Sequence, residues 1–255
     1  AKQDIHFGHL FIFALGGFLV TGSANIINQI KEVEYDKLMT RTMNRPLPTG
    51  VLTKNEAAVF CVIIGSIGLC IHYITCNPLT AFLSFISLVL YGFVYTPLKR
   101  VGPIAVFVGA IPGAMPPLLG WVAVQGEIST AALVLYGIQF IWQFPHFWAI
   151  AWIADEDYTK AGFKLLPSKG GKNINTALNI MTYTLFLIPL SLIPYAMDLT
   201  GWKSAIIVTI TGILFLVTTF RLMQKCDRKS ALFIMFGSFF YLPIVQIAYV
   251  LDKMP

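Results

Sequence analysis

Eight times along its 255 residues the chain runs for about 18 to 25 residues without Asp, Glu, Lys or Arg, the length that a bilayer core demands of a helix. The runs lie at about 7–28, 57–76, 79–96, 103–124, 129–153, 175–196, 204–220 and 230–251. Lipid offers no water to a backbone N–H or C=O, so each group must be satisfied within its own segment; an open strand edge is excluded and every run is expected to be helical. The fold class that follows is all-α, a polytopic transmembrane helix bundle with eight spans. Charged residues make up only 12% of the chain against 56% hydrophobic, roughly half the charged share of a soluble domain. The first run is too long for a signal peptide and leads into Asn-rich sequence rather than a small-residue cleavage site, so it counts as a span. Ala1 opens the chain where Met is usual, which suggests that some N-terminal sequence is missing. One domain is expected over 1–255, in two pseudo-repeated halves of about 1–124 and 125–255.

The net charge of +6 is sorted by loop. When alternate loops are assigned to opposite sides, every Lys and Arg except Lys2, Lys203 and Lys253 falls on one face. The positive-inside rule makes that face cytoplasmic and puts both ends of this chain outside. The expectation is an integral membrane protein, with lipid as its surroundings and no nucleic-acid partner, since no basic stripe runs along a soluble face. Cys61 and Cys70 sit within one span, Cys76 and Cys226 near opposite faces. They form no metal spacing or disulfide framework and read as small buried hydrophobes. Walker, G-x-G-x-x-G, H-E-x-x-H and C-x-x-C-H patterns are missing, so nucleotide hydrolysis and covalent haem attachment have no support.

Outer connections are short, as at Gln125-Gly126-Glu127, whereas the inner loops at 29–56 and 153–174 carry the polar chemistry. Each starts with acids just beyond an apolar helix, passes through basic residues and reaches a Leu-Pro pair, Leu47-Pro48 or Leu166-Pro167, where the helix is expected to stop. Four spans separate the two acidic clusters. An even number returns the chain to the same face, which places the clusters to meet across a central cavity and suggests a weak internal duplication.

Asn28, Glu32 and Asp36 are spaced by four, one stripe on a helix with each residue about 6 Å beyond the last. A polar stripe is costly against lipid and should point into the bundle or a water-filled cavity; its bland alternative is a solvated helix end. Glu34 lies off the stripe and reads as solvated. Carboxylates and an amide oxygen suit Mg²⁺, which completes its shell with water and phosphate oxygens. A diphosphate is the natural partner, and Arg41 and Arg45, with Lys99 and Arg100 on another inner loop, offer donors for it; ordinary inner-face topology explains each of these cations alone equally well. In the second cluster, Asp155, Glu156 and Asp157, helical geometry turns Asp155 and Asp157 apart by about 200°. Only one or two of them are expected to ligate metal, Asp157 in preference. His146 sits in a span within Trp142-Gln-Phe-Pro-His146-Phe, where Pro145 frees a helix carbonyl. A hydrogen-bonded structural histidine is the commoner case; a haem ligand or proton carrier is the alternative. His6, His9 and His72 lie near the outer face and receive no role.

Taken together these residues resemble the UbiA-type intramembrane prenyltransferases, and within them the haem-farnesylating branch. The resemblance rests on N-x-x-x-E-x-x-x-D from Asn28 to Asp36, M-x-R-T-x-x-R-P-L-P from Met39 to Pro48, Tyr95-Thr-Pro-Leu-Lys99-Arg100, G-A-x-P-P-L-x-G-W from Gly113, W-Q-x-P-H-F from Trp142, and D-Y-x-x-A-G-x-x-x-L-P from Asp157. It covers nearly the whole chain. It implies transfer of a farnesyl group from farnesyl diphosphate to a vinyl group of haem B, giving haem O and diphosphate. Mg²⁺ would be held by Asn28, Glu32, Asp36, Asp157 and Asp155; Arg41, Arg45, Lys99 and Arg100 would hold diphosphate; Asp36, Tyr95 and Lys99 would act in catalysis; His146 would contact haem. Haem A synthase or terminal-oxidase assembly would be the downstream partners. Members have nine spans, and the one missing here looks like the first. Two departures stand out: Glu32 replaces a common Asp, and Asp155-Glu-Asp157 replaces D-x-x-x-D. Rival readings are a quinone-precursor or chlorophyll-type prenyltransferase and, in another class, a transporter or haem-carrying membrane protein whose acidic helix ends form an ion site.

Overall fold

The structure, a computed structural model, describes residues 7–168 and 171–254. Lys2 and His6, named above, and Lys169, one of the cations assigned to the cytoplasmic face, lie outside the described residues. Within them the chain is helical apart from turns and one isolated bridge between Thr200 and Lys253. The helices are α1 (Phe7–Asp36), α2 (Lys54–Thr75), α3 (Pro78–Leu98), α4 (Ile104–Gln125), α5 (Thr130–Ile153), the short α6 (Asp155–Lys160), α7 (Ile174–Ala196), α8 (Trp202–Lys225) and α9 (Arg228–Leu251). Seven of them are long and apolar enough to cross a membrane. The eighth expected span, α5, has the length at 24 residues. Gln139, Gln143 and His146 lower its hydropathy, yet all three are buried. The chain is an integral membrane protein built as an all-α bundle.

It divides into two compact units, one of residues 1–128 with 156–164, the other of 129–155 with 165–255. In the first, α1 packs closely on α2. Gly68 makes this possible, because a Cβ there would stand 2.8 Å from the Gly16 carbonyl oxygen. Small residues let membrane helices approach where dispersion must do the work. Near the C-terminal end of α1, Val33, Leu47 and Ala57 cluster with Ile26, Ile30 and Leu52, pinning the 37–52 segment to the back of α1. The chain re-enters at α2 through a capping box between Thr53 and Glu56. In the second unit, hydroxyls join the helices: Tyr241 and Tyr249 both reach Ser191, and Gln246 donates to Gln139.

Two expectations need correction. α1 ends at Asp36, well before Leu47-Pro48, because the Thr42 hydroxyl takes the Asp36 carbonyl (3.0 Å) and the chain goes on in turns; likewise α5 stops at Ile153 and α6 at Lys160, before Leu166-Pro167. Of the cysteines only Cys61 is buried; Cys70 is exposed on an apolar helix and Cys76 and Cys226 are half-buried. On a lipid-facing surface an apolar thiol gains nothing from the interior.

Gly68→Leu should force α1 and α2 apart. Overpacking of this kind costs about 1–3 kcal/mol, so the variant should melt at a lower temperature than the parent in detergent, as read by thermal unfolding.

Candidate active site

The acidic stripe is built on the last two turns of α1. Asn28, Glu32 and Asp36 are 7%, 4% and 1% exposed, whereas Glu34 is exposed and pairs with Lys37 at 2.9 Å, as its place off the stripe implies. Buried carboxylates must be matched by cations. Lys99 Nζ lies 3.0 Å from Glu32 Oε2, and Arg45 donates to Asp36 Oδ2 at 2.9 Å. Each acid keeps its other oxygen, Glu32 Oε1 and Asp36 Oδ1, buried with no hydrogen-bond partner. Two orphaned carboxylate oxygens on one helix face are the donor type that a hard divalent cation takes.

Lys99 reaches Glu32 because of a defect in α3. Between Leu90 and Tyr95 the helix widens into a π-turn. Pro97 follows, and a regular helix would drive its ring into the carbonyl four residues back; the wider turn relieves that clash. Beyond the π-turn, Thr96 bonds Asn28 and Lys99 bonds Glu32, two rungs between parallel helix ends. Aromatic rings line the second rung: Lys99 Nζ is 4.9 Å from the Tyr95 ring and 5.8 Å from that of Phe163, and Tyr91 packs on Tyr95. Tyr95 lies flat against Gly109 of α4, where a Cβ would come within 2.7 Å of its ring.

The segment 156–164 is part of the same unit. Asp157 Oδ2 accepts the Arg41 N–H at 3.2 Å and Oδ1 accepts from Lys160 at 3.1 Å. Phe163 packs on Tyr35, and the Lys164 N–H meets the Lys99 carbonyl. Asp157 therefore stands at the turn into which the stripe leads, held by a backbone amide that no sequence motif announces. Partial desolvation works to raise its pKa, but the Lys160 ammonium, the Arg41 and Thr40 amides and the Thr40 hydroxyl outweigh it and hold the carboxyl at about 2. Arg41 offers its backbone to Asp157 while its side chain is exposed, and the Arg100 guanidinium lies over the Tyr35 ring at 5.0 Å, off the acidic stripe. Among the described residues no three His, Cys, Asp or Glu side chains form a ready-made metal cluster. The candidate ligands from this unit are instead Asn28, Glu32, Asp36 and Asp157.

Asp155 and His146 belong to the second unit. Asp155 pairs with Lys172 at 3.6 Å. His146 is 7% exposed, stacked on Trp142 with ring centroids 4.5 Å apart, edge-on to Phe147 and Phe239. Its Nδ1 lies 2.8 Å from the Ser238 hydroxyl, which itself donates to the Met235 carbonyl at 2.6 Å. A hydroxyl has one hydrogen, so Ser238 must accept from Nδ1–H. That fixes the neutral tautomer with the lone pair on Nε2. Sequence reasoning gave Ser238, Thr42 and Thr96 no role; Thr42 and Thr96 stand inside the quoted motifs, and the signal for Ser238 was a lone hydroxyl residue inside an apolar run.

Buried acids paired with cations at helix ends thus stand in a polytopic helical bundle, and the chain belongs to the UbiA prenyltransferase family, whose model matches residues 1–242. It is 56% identical over 255 residues to the protoheme IX farnesyltransferase of Cytophaga hutchinsonii, a match covering 99% of this chain and 88% of that protein. It is 45% identical to the protein of the same name from Flavobacterium psychrophilum, over 96% of this chain and 82% of the relative. A solved structure reported for digeranylgeranylglyceryl phosphate synthase in membranes shares the fold, with a TM-score of 0.79 at 22% identity over 98% of this chain and 87% of that one. The apo structure of a UbiA homolog from Aeropyrum pernix K1 superposes with a TM-score of 0.75 at 16% identity, covering 98% and 91%.

Asp157→Ala should speed hydrogen exchange at the Arg41 amide. In the parent that protection should persist at pH values above the ordinary carboxylate value of 3.8 and fade as pH falls toward about 2, because a depressed carboxyl stabilises its partner only while ionised. Exchange mass spectrometry over residues 37–45 reads both effects.

Proposed function

We propose that this prenyltransferase transfers the farnesyl group of farnesyl diphosphate to a vinyl group of haem B, forming haem O and releasing diphosphate at the cytoplasmic face of a bacterial inner membrane. The names of relatives at 56% and 45% identity support the substrates. The observation that carries the chemistry is the pair of buried, unpartnered oxygens on Glu32 and Asp36.

A bound Mg²⁺ would supply Lewis-acid neutralisation of the charge that builds on departing diphosphate. Glu32 and Asp36 would hold it with Asn28 and Asp157, Asp155 being a further candidate from the second acidic cluster. Arg45 and Lys99 would turn from carboxylates toward diphosphate oxygens as these arrive, with Arg41 and Arg100 beside them. Fixed cations placed where charge develops lower the barrier most. The C1–O bond breaks and its electron pair leaves with diphosphate. Tyr95 and Tyr91 present π faces beside Lys99, suited to an allylic cation in a place shielded from bulk water. The vinyl π electrons then form the new bond to C1. Water adds to the resulting cation next to the porphyrin ring and loses a proton, leaving the hydroxyl group. His146 would meet haem iron through its Nε2 lone pair, with Ser238 orienting the ring. Haem A synthase or terminal-oxidase assembly would take the product onward.

Asp36→Asn should lower haem O formation in membranes by about 100-fold or more while the protein stays inserted, and chelation of Mg²⁺ should do the same. Unchanged turnover in both tests would remove the metal mechanism. Offering purified enzyme haem B or an aromatic acid tests the acceptor: prenylation of the acid instead would overturn the haem assignment. His146→Ala should weaken haem binding and shift its Soret band.

A further inference from the structure

We infer that Thr96 sets which way the Asn28 amide faces, and thereby makes Asn28 an oxygen donor to a divalent cation; this rests on the metal-dependent reading above. The Thr96 hydroxyl is 3% exposed as a residue and lies 2.9 Å from the Tyr91 carbonyl oxygen and 3.1 Å from Asn28 Nδ2. A carbonyl only accepts, so the single hydroxyl hydrogen goes to Tyr91. Toward Asn28 the hydroxyl can then only accept, and of the two ends of an amide only the NH₂ donates. The amide is locked with nitrogen on Thr96 and Oδ1 turned the other way. A flipped amide would set two acceptors about 3 Å apart in a buried place.

The lock is a product of the π-turn. The Tyr91 carbonyl accepts both the Thr96 N–H, five residues on, and the Thr96 hydroxyl. One inserted residue rotates all that follows by roughly 100° relative to an unbroken α-helix, which turns Thr96 onto α1. Close approach at this level depends on Gly92, where a Cβ would lie 2.7 Å from Ile27 Cγ2, next to Asn28. The same rotation carries Lys99 to Glu32. Thr96 is thus a positioning residue, acting through Asn28 on the oxygen stripe.

The test uses the full chain in detergent and Mn²⁺ as the probe, titrated with and without inorganic diphosphate and followed by loss of the free Mn²⁺ signal in electron paramagnetic resonance. Thr96→Val and Thr96→Ala should each weaken Mn²⁺ binding by about tenfold or more, the usual scale for an outer-shell partner. Thr96→Ser keeps the hydroxyl and should bind as the parent does. A carboxylate has no wrong end, so in an Asn28→Asp background Thr96→Val should cost nothing further. If the parent binds no Mn²⁺ in either condition, the metal reading fails and takes this inference with it. If the parent binds and both hydroxyl-free variants bind equally well, or Thr96→Val loses as much in the Asn28→Asp background, Thr96 does not orient the amide while the metal reading stands. The Ala variant carries the test should the Val variant not fold.

Discussion

Burying Glu32 and Asp36 at the end of a helix that is otherwise apolar is the constraint to which the rest of the first unit answers. An ion taken out of water costs several kcal/mol unless it is well paired, so each carboxylate here has a cation on one oxygen. That need explains why Arg45 folds back from the 37–52 segment, while the π-turn that accommodates Pro97 brings Lys99 to Glu32. What pairing leaves over is one buried oxygen per acid without a hydrogen-bond partner.

Support for this stripe comes from ordinary parts used tightly. Val33 and Leu47 fasten the exit segment from behind, Thr42 closes the last carbonyl of α1, and Gly92 and Gly109 give up their side chains so that Ile27 and Tyr95 can sit close. In the second unit, Ser238 does for His146 what Thr96 does for Asn28: a hydroxyl whose proton is already committed dictates the face its neighbour presents. Both devices orient a group by making the alternative orientation an unsatisfied polar contact.

Much of the fold was legible in the sequence because lipid leaves so little choice. Charge-free runs located every long helix to within a few residues, except that α1 continues past its run to Asp36. There the helix obeys local hydrogen bonding, not hydropathy, and Leu47-Pro48 proved to be an anchor in a turn. The spacing of Asn28, Glu32 and Asp36 gave the buried face directly, since a 3.6-residue period is a local property. By contrast, the π-turn depends on how Pro97 is accommodated. The Asp157–Arg41 contact joins residues 116 apart through a backbone amide, and amides look alike in every sequence. His72, set aside as an outer-face residue, is fully buried between Ser84 and the Phe13 carbonyl, a structural role that a single letter does not reveal.

The membership of residues 156–164 in the unit otherwise made by the first 128 residues has a consequence for biosynthesis. A ribosome delivers α1 to α4 to the bilayer before Asp157, Lys160 and Phe163 have been translated. Until the nascent chain has lengthened past residue 164, the turn at Arg41 has no partner and the Lys99 carbonyl waits for its amide. The acids therefore enter the membrane early, but the surface around them closes late, so a ribosome stalled in α5 would leave an inserted protein whose acid-bearing unit is unfinished.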